Sequence, residues 1–121
     1  MPMHDDEVRL RHMLDYSREA IQLAGQWNRR DLDTNRMLQL SLVRLVEIVG
    51  EAASRISSGT RERHPQIPWP QVSGMRNRLI RGYDFVDFDV LWKTITEDLP
   101  PLVAAIEPLV SPAETDLRGE A

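Results

Sequence analysis

The stretch Asp33-Thr-Asn-Arg-Met-Leu-Gln-Leu-Ser-Leu-Val-Arg-Leu-Val-Glu-Ile-Val-Gly-Glu-Ala-Ala-Ser-Arg-Ile-Ser57 decides the fold class. Leu38, Leu42, Leu45, Val49, Ala52 and Ile56 recur at alternating steps of four and three, which places them in one stripe along a helix. A second apolar row, Leu40, Val43, Val46 and Ala53, lies beside it. Apolar surface on more than one side predicts a helix that is central in its bundle or shared with a second copy. Gly50 and the neighbouring alanines leave room for another helix to approach closely.

Outward from this segment the chain continues to read as helix. Leu10, Leu14, Ser17, Ile21 and Ala24 form a stripe that predicts a first helix from about Asp5 to Trp27, followed by a polar break at Asn28-Arg-Arg-Asp31. The central helix is expected to begin near Asp33 or Thr34. Residues 58–70 carry Pro65, Pro68 and Pro70 and read as a connection without helix. Pro70 suits the first turn of a third helix, with Val72, Met75 and Leu79 inward and its end near Gly82. A fourth helix is expected from about Asp87, with Val90, Leu91, Ile95 and Leu99 inward. Pro100 and Pro101 kink or restart it, and a short piece ends before Pro108. No useful strand alternation occurs, which predicts an all-α, up-and-down bundle of four to five helices over residues 1–110. Residues 111–121 are small, polar and charged and read as a disordered tail.

Composition narrows the chemistry. The 121 residues, 41% hydrophobic and 28% charged, suffice for one modest core. The absence of cysteine removes disulfide scaffolds, Cys-ligated zinc, iron–sulfur clusters and thiol catalysis. The first ten residues, with three acids and no apolar core, do not read as a secretory signal. The apolar-rich stretch Met37 to Val49 is interrupted by Arg44 and Glu47 and is too short to cross a bilayer. The expectation is a soluble cytoplasmic domain with no membrane association.

The net charge of −4 argues against a protein that coats nucleic acid nonspecifically. Residues 61–83, however, hold Arg61, Arg63, Arg76, Arg78 and Arg81 against the single acid Glu62. A basic island on an acidic body suits a defined anionic ligand such as one phosphate, unless the arginines pair with acids elsewhere on the surface. The glycines occur singly, so no phosphate-cradling Gly-rich loop is present, and there is no Gly-x-Ser-x-Gly elbow. His4, His12 and His64 have no metal-ligand spacing, so neither a metal nor another cofactor is expected.

The segment Met75-Arg-Asn-Arg-Leu-Ile-Arg-Gly-Tyr83 gathers three arginines, an amide and a phenol at the end of one short helix. On an ideal helix Arg76 and Arg81 stand about 140° apart, so a break near Gly82 or a second copy of the chain would be needed to bring them to one ligand. Guanidinium groups bind phosphate in bidentate fashion, which makes phosphate the natural ligand.

These residues, Arg76-Asn77-x-x-x-Arg81-Gly82-Tyr83, resemble the signature of HepT-like toxins of the HEPN superfamily: Arg, four residues, His, one residue, Tyr. The resemblance extends through Val49-Gly-Glu-Ala-Ala53, Ile67-Pro-Trp69, Gly74-Met75, Val86-Asp87, Val90-Leu-Trp92 and Asp98-Leu-Pro100, and covers about residues 5–110. It implies a helical bundle that dimerises with the two motifs facing each other, acting as a metal-independent endoribonuclease toxin on RNA. It also implies a partner, an antitoxin of the minimal nucleotidyltransferase fold, in a type II-like or type VII-like toxin–antitoxin system. Carried over residue by residue, Arg76 is the phosphate clamp, Asn77 a supporting polar contact and Tyr83 a site of adenylylation. Glu51 matches a family landmark with a supporting role.

The sequence departs from that pattern where the family has histidine and this chain has Arg81. Histidine exchanges a proton near neutral pH, whereas arginine remains a donor-only cation. Arg81 is therefore expected to bind phosphate and stabilise transition-state charge without serving as general base, which leaves cleavage impaired. His64, in the preceding loop, is a secondary candidate base whose position nothing fixes. The alternative reading is a non-catalytic helical dimerisation module that binds a nucleotidyltransferase partner or a nucleotide.

Overall fold

The computed structural model describes residues 2–80 and 85–110. It is an all-α bundle organised around the central helix that the sequence singles out. The helices are α1 (Pro2–Ala24), α2 (Arg36–Ser54), α3 (Ser58–Arg63), α4 (Trp69–Ser73), α5 (Met75–Leu79), α6 (Phe88–Lys93) and α7 (Leu99–Ile106). Turns of 3-10 helix occupy Arg29–Asp33 and Glu107–Leu109, and a π-helical turn, Thr94–Asp98, joins α6 to α7. The expected tail, residues 111–121, lies outside the described residues.

The α2 stripe is buried as predicted, with Leu38, Leu42, Leu45, Val49, Ala52 and Ile56 all in the core. Its second row divides: Val46 and Ala53 are buried, Val43 is half-buried, and Leu40 is exposed together with Met37. Leu10, Met13, Leu14, Ala20 and Ala24 of α1 and Leu99, Leu102 and Ile106 of α7 complete the same core. α1 and α2 run antiparallel, since Asp6 near the start of α1 meets Ser57 just beyond the end of α2. Gly50 does permit close approach: a Cβ there would stand 3.2 Å from the carbonyl oxygen of Val72 in α4. A bulkier, β-branched side chain at this point has to displace backbone. Gly50→Val is therefore expected to lower stability by about 1–3 kcal/mol in denaturant unfolding, and an unchanged midpoint would contradict the tight α2–α4 contact.

Several predicted boundaries move, each for a local reason. The first helix ends at Ala24 rather than Trp27, because the backbone tightens there into i→i+3 bonds from Gln26 to Leu23 and from Trp27 to Ala24. The polar break is itself a 3-10 turn, closed by the Asn28 N–H donating to Asp31 Oδ2 at 2.8 Å. Arg29, within it, pairs with Asp33 and with Asp89 of α6. The central helix starts at Arg36, where Asn35 accepts a hydrogen bond from the Leu38 N–H at 3.0 Å.

The connection 58–70 contains α3, contrary to expectation: proline excludes helix only from about His64 onward, and Ser57 caps the residues before it. The third helix is two helices separated at Gly74, and it ends at Leu79, with Ile80 extended and paired to Val86. The fourth begins where predicted, with Asp87 Oδ1 accepting from the N–H groups of Asp89 and Val90. Pro100 and Pro101 restart it, sitting in the first turn of α7, where their missing N–H groups cost little.

Candidate functional site

Position on a helix face explains the site. Arg44, Glu47 and Glu51 follow one another at steps of three and four on α2, so they share one face beside the buried stripe. α5 lies across that face. Its own apolar residues, Met75 and Leu79, are buried, which leaves Arg76 and Asn77 on the outward side next to α2. The result is a hollow of about 340 Å³ lined chiefly by Arg44, Glu47, Glu51, Ser73, Arg76 and Asn77.

Glu47 organises the hollow. Its Oε2 accepts from Arg76 Nε at 2.9 Å, and its Oε1 lies 3.5 Å from Nη1 of Arg44. Glu47 is largely covered, with 23% of its side chain exposed, whereas Arg76 is 56% exposed. The carboxylate engages the Nε of Arg76, and more than half of the Arg76 side chain remains exposed. A guanidinium held by one edge and open on the other is pre-oriented for an anion such as phosphate. Glu51, at the rim, pairs with Arg55 at 3.2 Å.

Three predicted residues, Arg76, Asn77 and Glu51, thus meet in one place. Arg81 and Tyr83 lie outside the described residues. The ideal-helix angle between Arg76 and Arg81 does not apply, because the helix stops at Leu79 and Ile80 is extended. His64 is not brought to Arg76. It lines a different hollow, with Asp6, Leu10 and Arg63, and its carbonyl accepts from Trp69 Nε1. The basic island also disperses in space: Arg78 lines a groove against α7 and donates to the Gln71 carbonyl, while Arg63 reaches Thr60. Arg76 finds its cationic neighbour in Arg44, from outside the island.

Arg44 and Glu47 were not among the predicted site residues. Their signal was the charged pair interrupting an apolar helix at the same three-and-four spacing as Glu51. Among the described residues no three His, Cys, Asp or Glu side chains come together as a metal site, and no helix is long and apolar enough to cross a membrane.

The bundle thus presents an arginine and an asparagine from a short helix onto a carboxylate-bearing partner helix. The family model described as ribonuclease HepT-like matches residues 13–109, and the chain belongs to this family. It is 39% identical over 95 residues to "Probable ribonuclease HepT" of Thermococcus cleftensis, covering 75% of this chain and 86% of that protein. It is 31% identical over 107 residues to "Putative RNase MJ1380" of Methanocaldococcus jannaschii, covering 88% of this chain and 98% of that one. No solved structure matches the chain.

Proposed function

We propose that this chain is the toxin subunit of a toxin–antitoxin pair, built as a metal-independent endoribonuclease whose cleavage is impaired by Arg81. The observation that carries the reading is the meeting of Arg76, Asn77 and Glu51 in one hollow of a HepT-like bundle. Arg76 holds the scissile phosphate through its terminal nitrogens, with Glu47 fixing its Nε edge and Asn77 adding a polar contact. The ribose 2′-oxygen then attacks phosphorus and the 5′-oxygen leaves. This needs a base for the 2′-hydroxyl proton and an acid for the leaving oxygen, the roles that histidine fills and arginine does not. The chain works in the cytoplasm as a homodimer that brings two motifs together. The exposed Met37 and Leu40 on α2 support a second copy packing there.

Its partner is a minimal nucleotidyltransferase antitoxin that adenylylates Tyr83. Intact mass is expected to rise by one or more adenylyl units after incubation with ATP and that partner. An unchanged mass would leave noncovalent neutralisation as the mode of silencing. The deciding experiment for the reading as a whole is cleavage of total RNA, in chelator, by this chain and by its Arg81→His variant. Silence from both, with folding confirmed, would favour a non-catalytic module that binds the partner or a nucleotide.

A further inference from the structure

A second hollow, of about 480 Å³, follows the seam between α1 and α2 and shares Arg44 and Glu51 with the one that holds Arg76. Arg9, His12 and Tyr16 line it from α1, at steps of three and four that put them on one face. Ile48 lines it from α2, and Arg55 from the cap just beyond the end of that helix. His12 is exposed and stands edge-on to the half-buried Tyr16, with ring centroids 6.0 Å apart and planes 65° from parallel.

The charge here runs against that of the whole chain. Arg9, Arg44 and Arg55 face this groove against the single carboxylate of Glu51, on a chain of net charge −4. Arg44 and Arg55 are each more than 60% exposed, so their surface pairs with Glu47 and Glu51 are weak and exchangeable for a ligand's anion. An apolar ligand would not select three guanidinium groups, and a bare phosphate would not need two rings. Single-stranded nucleic acid needs both, because each base offers a face to stack and each link a negative charge.

Resting on the ribonuclease reading above, we propose that this groove holds the nucleotides flanking the scissile phosphate of a single-stranded RNA. A base stacks on the face of Tyr16 with the His12 ring beside it, and the adjoining phosphates meet Arg55 and Arg44 on the way to Arg76. Stacking uses a face common to every base, so the groove sets the path of the strand more than its sequence.

The test is fluorescence anisotropy of the full chain with a short single-stranded oligoribonucleotide, made uncleavable by 2′-O-methyl riboses. Tyr16→Ala is expected to weaken binding about tenfold without changing its salt dependence, and Tyr16→Phe to retain wild-type affinity. Arg55→Gln should reduce the slope of log K against log salt by about 0.7, the single-strand value for one phosphate contact. Wild-type affinity and slope in Tyr16→Ala and Arg55→Gln, beside weakened binding by Arg76→Ala, would overturn the groove and leave the clamp standing. A wild-type chain that does not bind the oligonucleotide at micromolar concentration would also overturn the groove, and the Arg81→His cleavage assay then decides the ribonuclease reading separately. Conversion of a dimer to a monomer by Tyr16→Ala in light scattering would reassign this face to contact between two copies, and would likewise overturn the proposal.

Discussion

Arg81→His is expected to raise chelator-insensitive RNA cleavage by about 10²–10⁴-fold, the usual contribution of a positioned general acid–base group. The gain comes from proton transfer rather than from binding. A guanidinium keeps its proton at neutral pH, whereas an imidazole ordinarily titrates near neutrality and is poised to take a proton and return it. Arg76 is present and held by Glu47 in either case, so phosphate binding should change much less than the rate. Expression of the variant without a partner should arrest growth. Equal cleavage by both chains would mean that another group moves the proton and that Arg81 is tolerated.

Asp6→Ala is expected to cost about 3 kcal/mol at neutral pH, a fall of about 10 °C in Tm, because it strands buried donors. Asp6 is 4% exposed and accepts hydrogen bonds from the Ser57 N–H, the Ser57 hydroxyl and the Thr60 hydroxyl. Burial alone raises a carboxyl's pKa, but these bonds from Ser57 and Thr60, with Arg9 nearby, outweigh it and hold Asp6 below its ordinary value of 3.8. A depressed folded-state pKa means that the stabilisation is fully present above the unfolded value and lost as pH falls through the folded one. The gap in Tm between wild type and Asp6→Ala should therefore narrow below about pH 4. A gap that stays constant from neutral pH to pH 2 would remove the ionised carboxylate from the account.

The central helix was legible because its stripe repeats over more than five turns and no proline or glycine pair interrupts it. The family pattern around Arg76 and Tyr83 was legible too, since it depends on residue order alone. What escaped the sequence depends on contacts across the fold. α3 was hidden because a rule about residues preceding proline was extended to Ser58–Arg63, which precede no proline closely enough to be constrained. The end of the motif helix was misplaced because Gly82 looked like its stop, while the pairing of Ile80 with Val86 draws the backbone out earlier. Glu47 was read as an interruption of an apolar run; only the approach of α5 turns it into the residue that orients Arg76.

The π-helical turn at Thr94–Asp98 gives the C-terminal part of the bundle its phase. There the Leu99 N–H reaches back five residues to the Thr94 carbonyl, so the chain contains one residue more than an α-helical path would use. One residue corresponds to about 100° of helix rotation. Without it, the buried ridge of Leu99, Leu102 and Ile106 would be turned a quarter-circle away from the ridge that Leu91 and Ile95 begin. The turn is thus a gearing element: it lets two amphipathic segments with offset patterns mesh with the same neighbour, and it makes the length of this stretch, as much as its composition, part of what the fold encodes.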